Sequence, residues 1–220
     1  MTVGAEAGGE GRIPGSELPD DVTRHPLLGR LAEELAVRKR RQARLPGFRA
    51  ASVLIPLVLR DGDLHVTFIQ RTEDGSTHSG QIAFPGGARE DEDADAIATA
   101  LREAEEEVNI RRDTVTPLGR MDDNATISRY VVTPVVGVVR EIPDYRPDER
   151  EVQNIFEVPL DFLLDHANER RAPDTEFMGR TWALYEYHWE GRVIWGVTGR
   201  IVHEFMTVVR ALTVSGDNTP

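Results

Sequence analysis

At 220 residues, with 40% apolar and 29% charged residues, the chain suits one soluble domain, and no apolar run nears the length of a membrane span. A formal charge of −12 argues against general nucleic-acid binding, which needs a basic footprint, but leaves room for a small phosphorylated ligand whose charge a cation can offset. Zero cysteines exclude disulfides, thiolate nucleophiles and Cys-ligated zinc; with residues 1–10 lacking the parts of a signal peptide, this fits a cytoplasmic setting.

In chain order, residues 1–21 are rich in Gly, Glu and Pro and are expected to form a disordered tail. Leu27, Leu28, Leu31, Leu35 and Ala36 recur at helical spacing, which predicts a helix over about residues 26–44 within an N-terminal segment, 22–50. Its basic end, Arg38-Lys39-Arg40-Arg41 with Arg44, suits a helix C-terminus; docking of a phosphate or of an acidic partner is the functional alternative. Residues 51–60 and 64–71 read as two strands around an Asp61-Gly62-Asp63 turn. A short strand near 81–84 leads into Gly86-Gly87, and a helix follows over about 93–108. Strand patterns recur at 115–121, 130–141 and 152–158, with a short helix over 159–165. Residues 180–188 and 192–195 read as a hairpin around Glu190-Gly191, and a last helix runs to 212, ahead of a flexible tail at 213–220. Strands clustered between a few helices predict an α/β fold, a mixed sheet covered on both faces.

The chemistry concentrates in Gly86-Gly87-Ala88-Arg89-Glu90 and, after a run of acids, in Arg102-Glu103-Ala104-Glu105-Glu106-Glu107-Val108-Asn109-Ile110. With about 100° per residue, Glu103, Glu106 and Glu107 share one edge of a helix, beside an apolar stripe of Ile97, Ala100, Leu101, Ala104 and Val108. Like charges so placed repel at i,i+3 and i,i+4, and a divalent cation would relieve them. Clustered carboxylate oxygens are the donors that hard Mg²⁺ or Mn²⁺ prefers. A helix dipole explains the acids at the start of this helix but not Glu106 and Glu107 at its negative end.

This segment resembles the Nudix box, whose second half is matched by Arg102, Glu103, Ala104, Glu106, Glu107 and Ile110. Asn109 stands where the family has Gly, a mild change, because Asn is the next best residue in a left-handed helix end. The first half is one residue longer than the strict spacing, so Asp93, Glu90 or Glu92 must act as its first carboxylate, with Asp93 preferred. This longer form, with Arg71 and Gly80-Gln81-Ile82-Ala83-Phe84-Pro85-Gly86-Gly87 upstream, resembles the coenzyme A pyrophosphohydrolase-like branch. That branch carries a second Arg where this chain has Ser76, which puts coenzyme A as substrate in question.

The resemblance implies a Nudix α/β/α sandwich over 51–212 and hydrolysis of a nucleoside diphosphate linked to another group. It implies Mg²⁺ or Mn²⁺ held by Glu103, Glu106 and Glu107, with Arg102 orienting a carboxylate and Gly86 or Gly87 bringing main chain close to the site. Arg71 is a candidate diphosphate contact, and Glu107, Glu151 and Glu149 are candidates for the general base. A homodimer, with no nucleic-acid or membrane partner, completes the expectation. ADP-ribose or a dinucleotide are alternative substrates, and a non-catalytic binding domain is the alternative role.

Overall fold

The computed structural model describes residues 18–73 and 80–214; Ser76, the adjoining His78 and the outer parts of both expected tails lie outside these residues. In chain order the elements are α1 (Asp20–Arg24), α2 (Pro26–Val37), β1 (Arg49–Arg60), β2 (Asp63–Arg71), β3 (Ile82–Ala83), β4 (Gly86–Ala88) and α3 (Ala96–Val108). There follow β5 (Val115–Arg120), β6 (Asn124–Ala125), β7 (Tyr130–Val139), β8 (Val152–Pro159) and α4 (Leu160–Leu164). The chain closes with β9 (Glu169–Phe177), β10 (Arg180–Trp189), β11 (Arg192–Ile194) and α5 (Gly196–Val214).

The main sheet runs β3-β2-β1-β7-β5, with β4 and β6 pairing β1 and β7 and β8 pairing β2. β1 and β7 are parallel and the other pairs antiparallel, so the sheet is mixed, as the sequence predicts. Alternation along β1 sends Leu54 and Val58 to a core under α3, and Ile55 and Leu57 to a larger core under α2, α4 and α5. Helices therefore cover both faces, the α/β/α layering expected of the sandwich. The Asp-Gly turn between β1 and β2 places Asp61 at φ 52° and Gly62 at φ 102°; Glu190 and Gly191 repeat this between β10 and β11 at 47° and 76°. Both turns have the primed geometry that matches strand twist.

Three expectations are corrected. The helix expected over 26–44 stops at Val37, and Arg38 is extended at φ −64°, ψ 140°. Consecutive cations repel within a helix, whereas here Arg38 and Arg41 reach Asp122, and Arg40 reaches Asp123, across the molecule. α1 begins at Asp20, inside the segment expected as tail. β9 is a strand the pattern did not reveal: Glu169-Arg170-Arg171-Ala172-Pro173-Asp174-Thr175-Glu176-Phe177 is polar and contains a proline. It is an edge strand with a register shift between Trp182 and Leu184 opposite it, where a proline is tolerated.

Candidate active site

The box helix is set at both ends by side-chain chemistry. Its N-cap is Asp95, whose Oδ1 accepts the N–H of Ile97 and Ala98 at 2.9 Å each, so α3 starts at Ala96, later than the expected 93. At the other end Asn109 sits at φ 60°, ψ 32°, the left-handed cap expected of the residue replacing glycine. Its side-chain amide donates to the Asp144 carbonyl at 2.7 Å, tying the next long loop to the helix end.

Ala100, Ala104 and Val108 bury against the sheet, and Glu107 is drawn in with them. The three box carboxylates then differ sharply. Glu107 keeps 4% of its side chain exposed, Glu103 15% and Glu106 57%. Glu107 Oε2 accepts the Gly86 N–H at 2.8 Å. Its Oε1 is buried with no hydrogen-bond partner; the nearest cation is Arg71 Nη1 at 3.6 Å. Burial pushes its carboxyl up to about 8, against the opposing pull of the Gly86 bond and Arg71. Gly87 lies against Glu103, where a Cβ would stand 2.5 Å from Oε1 and would displace this carboxylate. Burial also raises Glu103, with Arg102 acting the other way.

Arg102 organises this edge. Its Nε and Nη2 each reach a different oxygen of the buried Asp93 at 3.0 Å, and Nη2 also donates to the Ala88 carbonyl. Nη1 lies 3.0 Å from Glu103 Oε1 and 3.1 Å from Glu106 Oε2. The bidentate Arg102 contact holds the Asp93 carboxyl well below the usual carboxylate range. Of the three acids weighed for the first box position, Asp93 is the one brought onto Arg102 in this way; Glu90 is exposed and 4.0 Å away, and Glu92 is exposed. Glu105 lies off this edge, paired with Arg112.

Arg71 links the box to the loop before β8: Nη1 faces Glu107 and Nη2 lies 3.6 Å from Glu151 Oε2. Glu151 is half-exposed beside this group, whereas Glu149 stays at the surface. The loop is pinned to α3 by the Asp148 N–H on the Glu107 carbonyl at 2.9 Å. Tyr145 anchors it further, donating to Glu157 Oε1 at 2.6 Å, with its hydroxyl 2.8 Å from that of Thr67. Sequence reading missed this clamp, since a lone tyrosine in a polar loop carries no spacing signal. Among the described residues no three His, Asp or Glu side chains are gathered in metal-binding geometry; Glu103 and Glu106 are turned to Arg102 instead. The donor chemistry still fits a hard cation: all oxygen, with one buried oxygen lacking a partner.

Four of the large aromatics pack against neighbouring side chains. Tyr187 is fully buried with its hydroxyl on Glu169, Tyr185 stacks on His203, Trp189 meets Phe162 edge-on and Trp182 lies under Arg200. Trp195 is 46% exposed.

The model of the NUDIX domain matches residues 48–182. A protein of Escherichia coli K12 named uncharacterized Nudix hydrolase NudL is 40% identical over 156 residues, covering 71% of this chain and 80% of the relative. A protein of the same name from Photorhabdus laumondii is 36% identical over 162 residues, covering 74% and 86%. The crystal structure of a MutT/nudix family protein from Enterococcus faecalis superposes with a TM-score of 0.50 at 15% identity, covering 79% of this chain and 69% of that one, a likeness of fold alone.

Proposed function

The chain belongs to the Nudix hydrolase family, and on that footing we propose that it is a divalent-metal-dependent pyrophosphohydrolase whose first substrate is coenzyme A or an acyl-coenzyme A. The observation that carries the metal reading is Glu107: a buried carboxyl group with one oxygen on the Gly86 N–H and the other without a hydrogen-bond partner, an arrangement a bound cation would complete.

Glu103, Glu106 and Glu107 would hold Mg²⁺ or Mn²⁺. The ion, when bound, supplies charge neutralisation at the diphosphate and makes water more acidic. Gly86 fixes Glu107 through its N–H and Gly87 leaves room for Glu103. Arg102 is a positioning residue: anchored on Asp93 and Ala88, it holds the Glu103 and Glu106 carboxylates at the helix edge. Arg71 would move from Glu107 to a diphosphate oxygen, a contact suited to a guanidinium. Glu151, half-exposed beside Arg71, is the carboxylate best placed to take the proton of the attacking water.

A buried carboxyl group with an unpartnered oxygen is costly for the fold alone, which disfavours the non-catalytic alternative. The test is a hydrolysis screen with Mg²⁺ and Mn²⁺ on coenzyme A, acetyl-coenzyme A, ADP-ribose, NADH and dinucleoside polyphosphates, with products identified by mass. The expected products are 4′-phosphopantetheine and 3′,5′-ADP from coenzyme A. Preference for ADP-ribose or a dinucleotide would overturn the substrate, and no cleavage of any compound would overturn the catalytic reading.

A further inference from the structure

The basic run at 38–44 finds no place in the hydrolytic site. Beyond the end of α2, Arg40 and residues 42–46 form one wall of a cleft of about 590 Å³, closed by the start of β1 and the approach to α3. Five arginines line it: Arg40, Arg44, Arg49, Arg89 and Arg120. The cleft is thus strongly basic in a chain whose net charge is −12.

Its two acids, Asp123 and Asp95, are already committed. Asp123 receives Arg40 Nη1 at 2.8 Å, the Ala43 N–H at 2.9 Å and the Thr133 hydroxyl at 2.8 Å. Asp95 spends Oδ1 on the α3 cap. Arg49 donates to the Tyr130 hydroxyl and Arg89 to the carbonyls of Asp93 and Ala94, which are neutral acceptors that leave the guanidinium charges uncancelled. Among the described residues, Arg44, Arg49 and Arg89 have no carboxylate within ion-pair distance. Arg40, 8% exposed and paired with Asp123, forms the enclosed back of the cleft. The exposed guanidinium groups of Arg44, Arg49 and Arg89 are forks that fit phosphate oxygens.

The cleft contains none of Arg71, Glu103, Glu106, Glu107 or Glu151. It is nonetheless close to them: its floor includes Ala51 and Ser52 of β1, which pair with Ala88 and Gly87 of β4.

We propose that this arginine cleft is a second anion site that binds a phosphate group remote from the scissile diphosphate. The phosphate is either a distant one on the substrate itself, a source that rests on the coenzyme A reading above, or that of a separate phosphorylated ligand.

The test is calorimetric titration of the metal-free protein with inorganic tripolyphosphate. Arg44→Gln/Arg49→Gln is expected to weaken binding roughly tenfold or more, and Arg71→Gln to leave it unchanged. Both cleft arginines are exposed, so the double variant should fold; Arg44→Glu alone provides an independent check. No binding, or binding lost in Arg71→Gln but kept in the double variant, would overturn the proposal. The source is then read from kinetics. A higher KM for coenzyme A, but not for 3′-dephospho-coenzyme A, in the double variant assigns the cleft to the substrate's distal phosphate. Unchanged KM for both, with tripolyphosphate binding lost, assigns it to a separate ligand. Since the titration needs no turnover, the coenzyme A reading can fail without deciding this one.

Discussion

Glu107 and Glu106 are neighbours in sequence with opposite environments, and that contrast separates two consequences. Glu106 is exposed, so its charge contributes little to folding. Glu106→Gln is therefore expected to lower kcat about 100-fold or more while leaving the melting temperature unchanged. Near-normal turnover would remove Glu106 from the metal site. Glu107 is buried with its carboxyl raised to about 8, so without a cation the fold favours the neutral form over the charged one. Glu107→Gln should then be at least as stable as the parent without metal, and should lose the stabilisation that Mg²⁺ confers by binding the folded state alone. Thermal melts with and without Mg²⁺ decide this; a variant that still gains stability from Mg²⁺ would refute the assignment.

At the scale of elements, α3 depends on its two ends and on the Asp93–Arg102 tie. Asn109 occupies a left-handed cap, so Asn109→Gly should cost less than about 0.5 kcal/mol, whereas Asn109→Val should cost about 1 kcal/mol or more, read by urea unfolding. Asp93 brings a pH dependence. Its folded-state carboxyl is depressed below the unfolded value of about 3.9, chiefly by the Arg102 hydrogen bonds. A depressed acid contributes stability above its unfolded value and loses it as pH falls toward the folded one. The stability gap between the parent and Asp93→Asn should therefore be full at neutral pH and shrink steadily below about pH 4. A gap that is constant from pH 7 to pH 3 would show that the ion pair contributes no linkage. The box motif was legible in sequence because helical spacing alone aligns Glu103, Glu106 and Glu107. Their unequal burial was not, because it depends on how deeply α3 settles on the sheet.

Across the whole molecule, the sheet, α3 and the loop before β8 meet at Tyr145, Glu157, Thr67 and Arg60. Arg60 bonds both oxygens of Glu157, and Tyr145 donates to the same carboxylate. Tyr145→Phe should lower stability by about 1 kcal/mol, since it removes a buried hydrogen-bond donor from a satisfied group. It should also reduce kcat modestly, because the same loop positions Glu151 beside Arg71. A fall in stability without any change in kcat would separate the clamp from catalysis. No helix among the described residues is long and apolar enough to cross a membrane.

By itself, the sequence determined the β1–β2 and β10–β11 hairpins, the long strands of the main sheet and the box helix. Each rests on local rules: Asp-Gly and Glu-Gly turns, strand patterns, and carboxylates at i, i+3 and i+4. The resemblance to the box, with Asn109 at the glycine position, also implied the left-handed cap, because few other residues tolerate that backbone. Tertiary structure alone decided the rest. It released residues 38–44 from α2, because Asp122 and Asp123 offer the cations partners that a helix cannot. It chose Asp93 over Glu90 and Glu92, buried Glu107 while leaving Glu106 in solvent, and gathered five arginines from separate segments around one cleft. Those outcomes join residues far apart in the chain, and no spacing rule reaches across such distances.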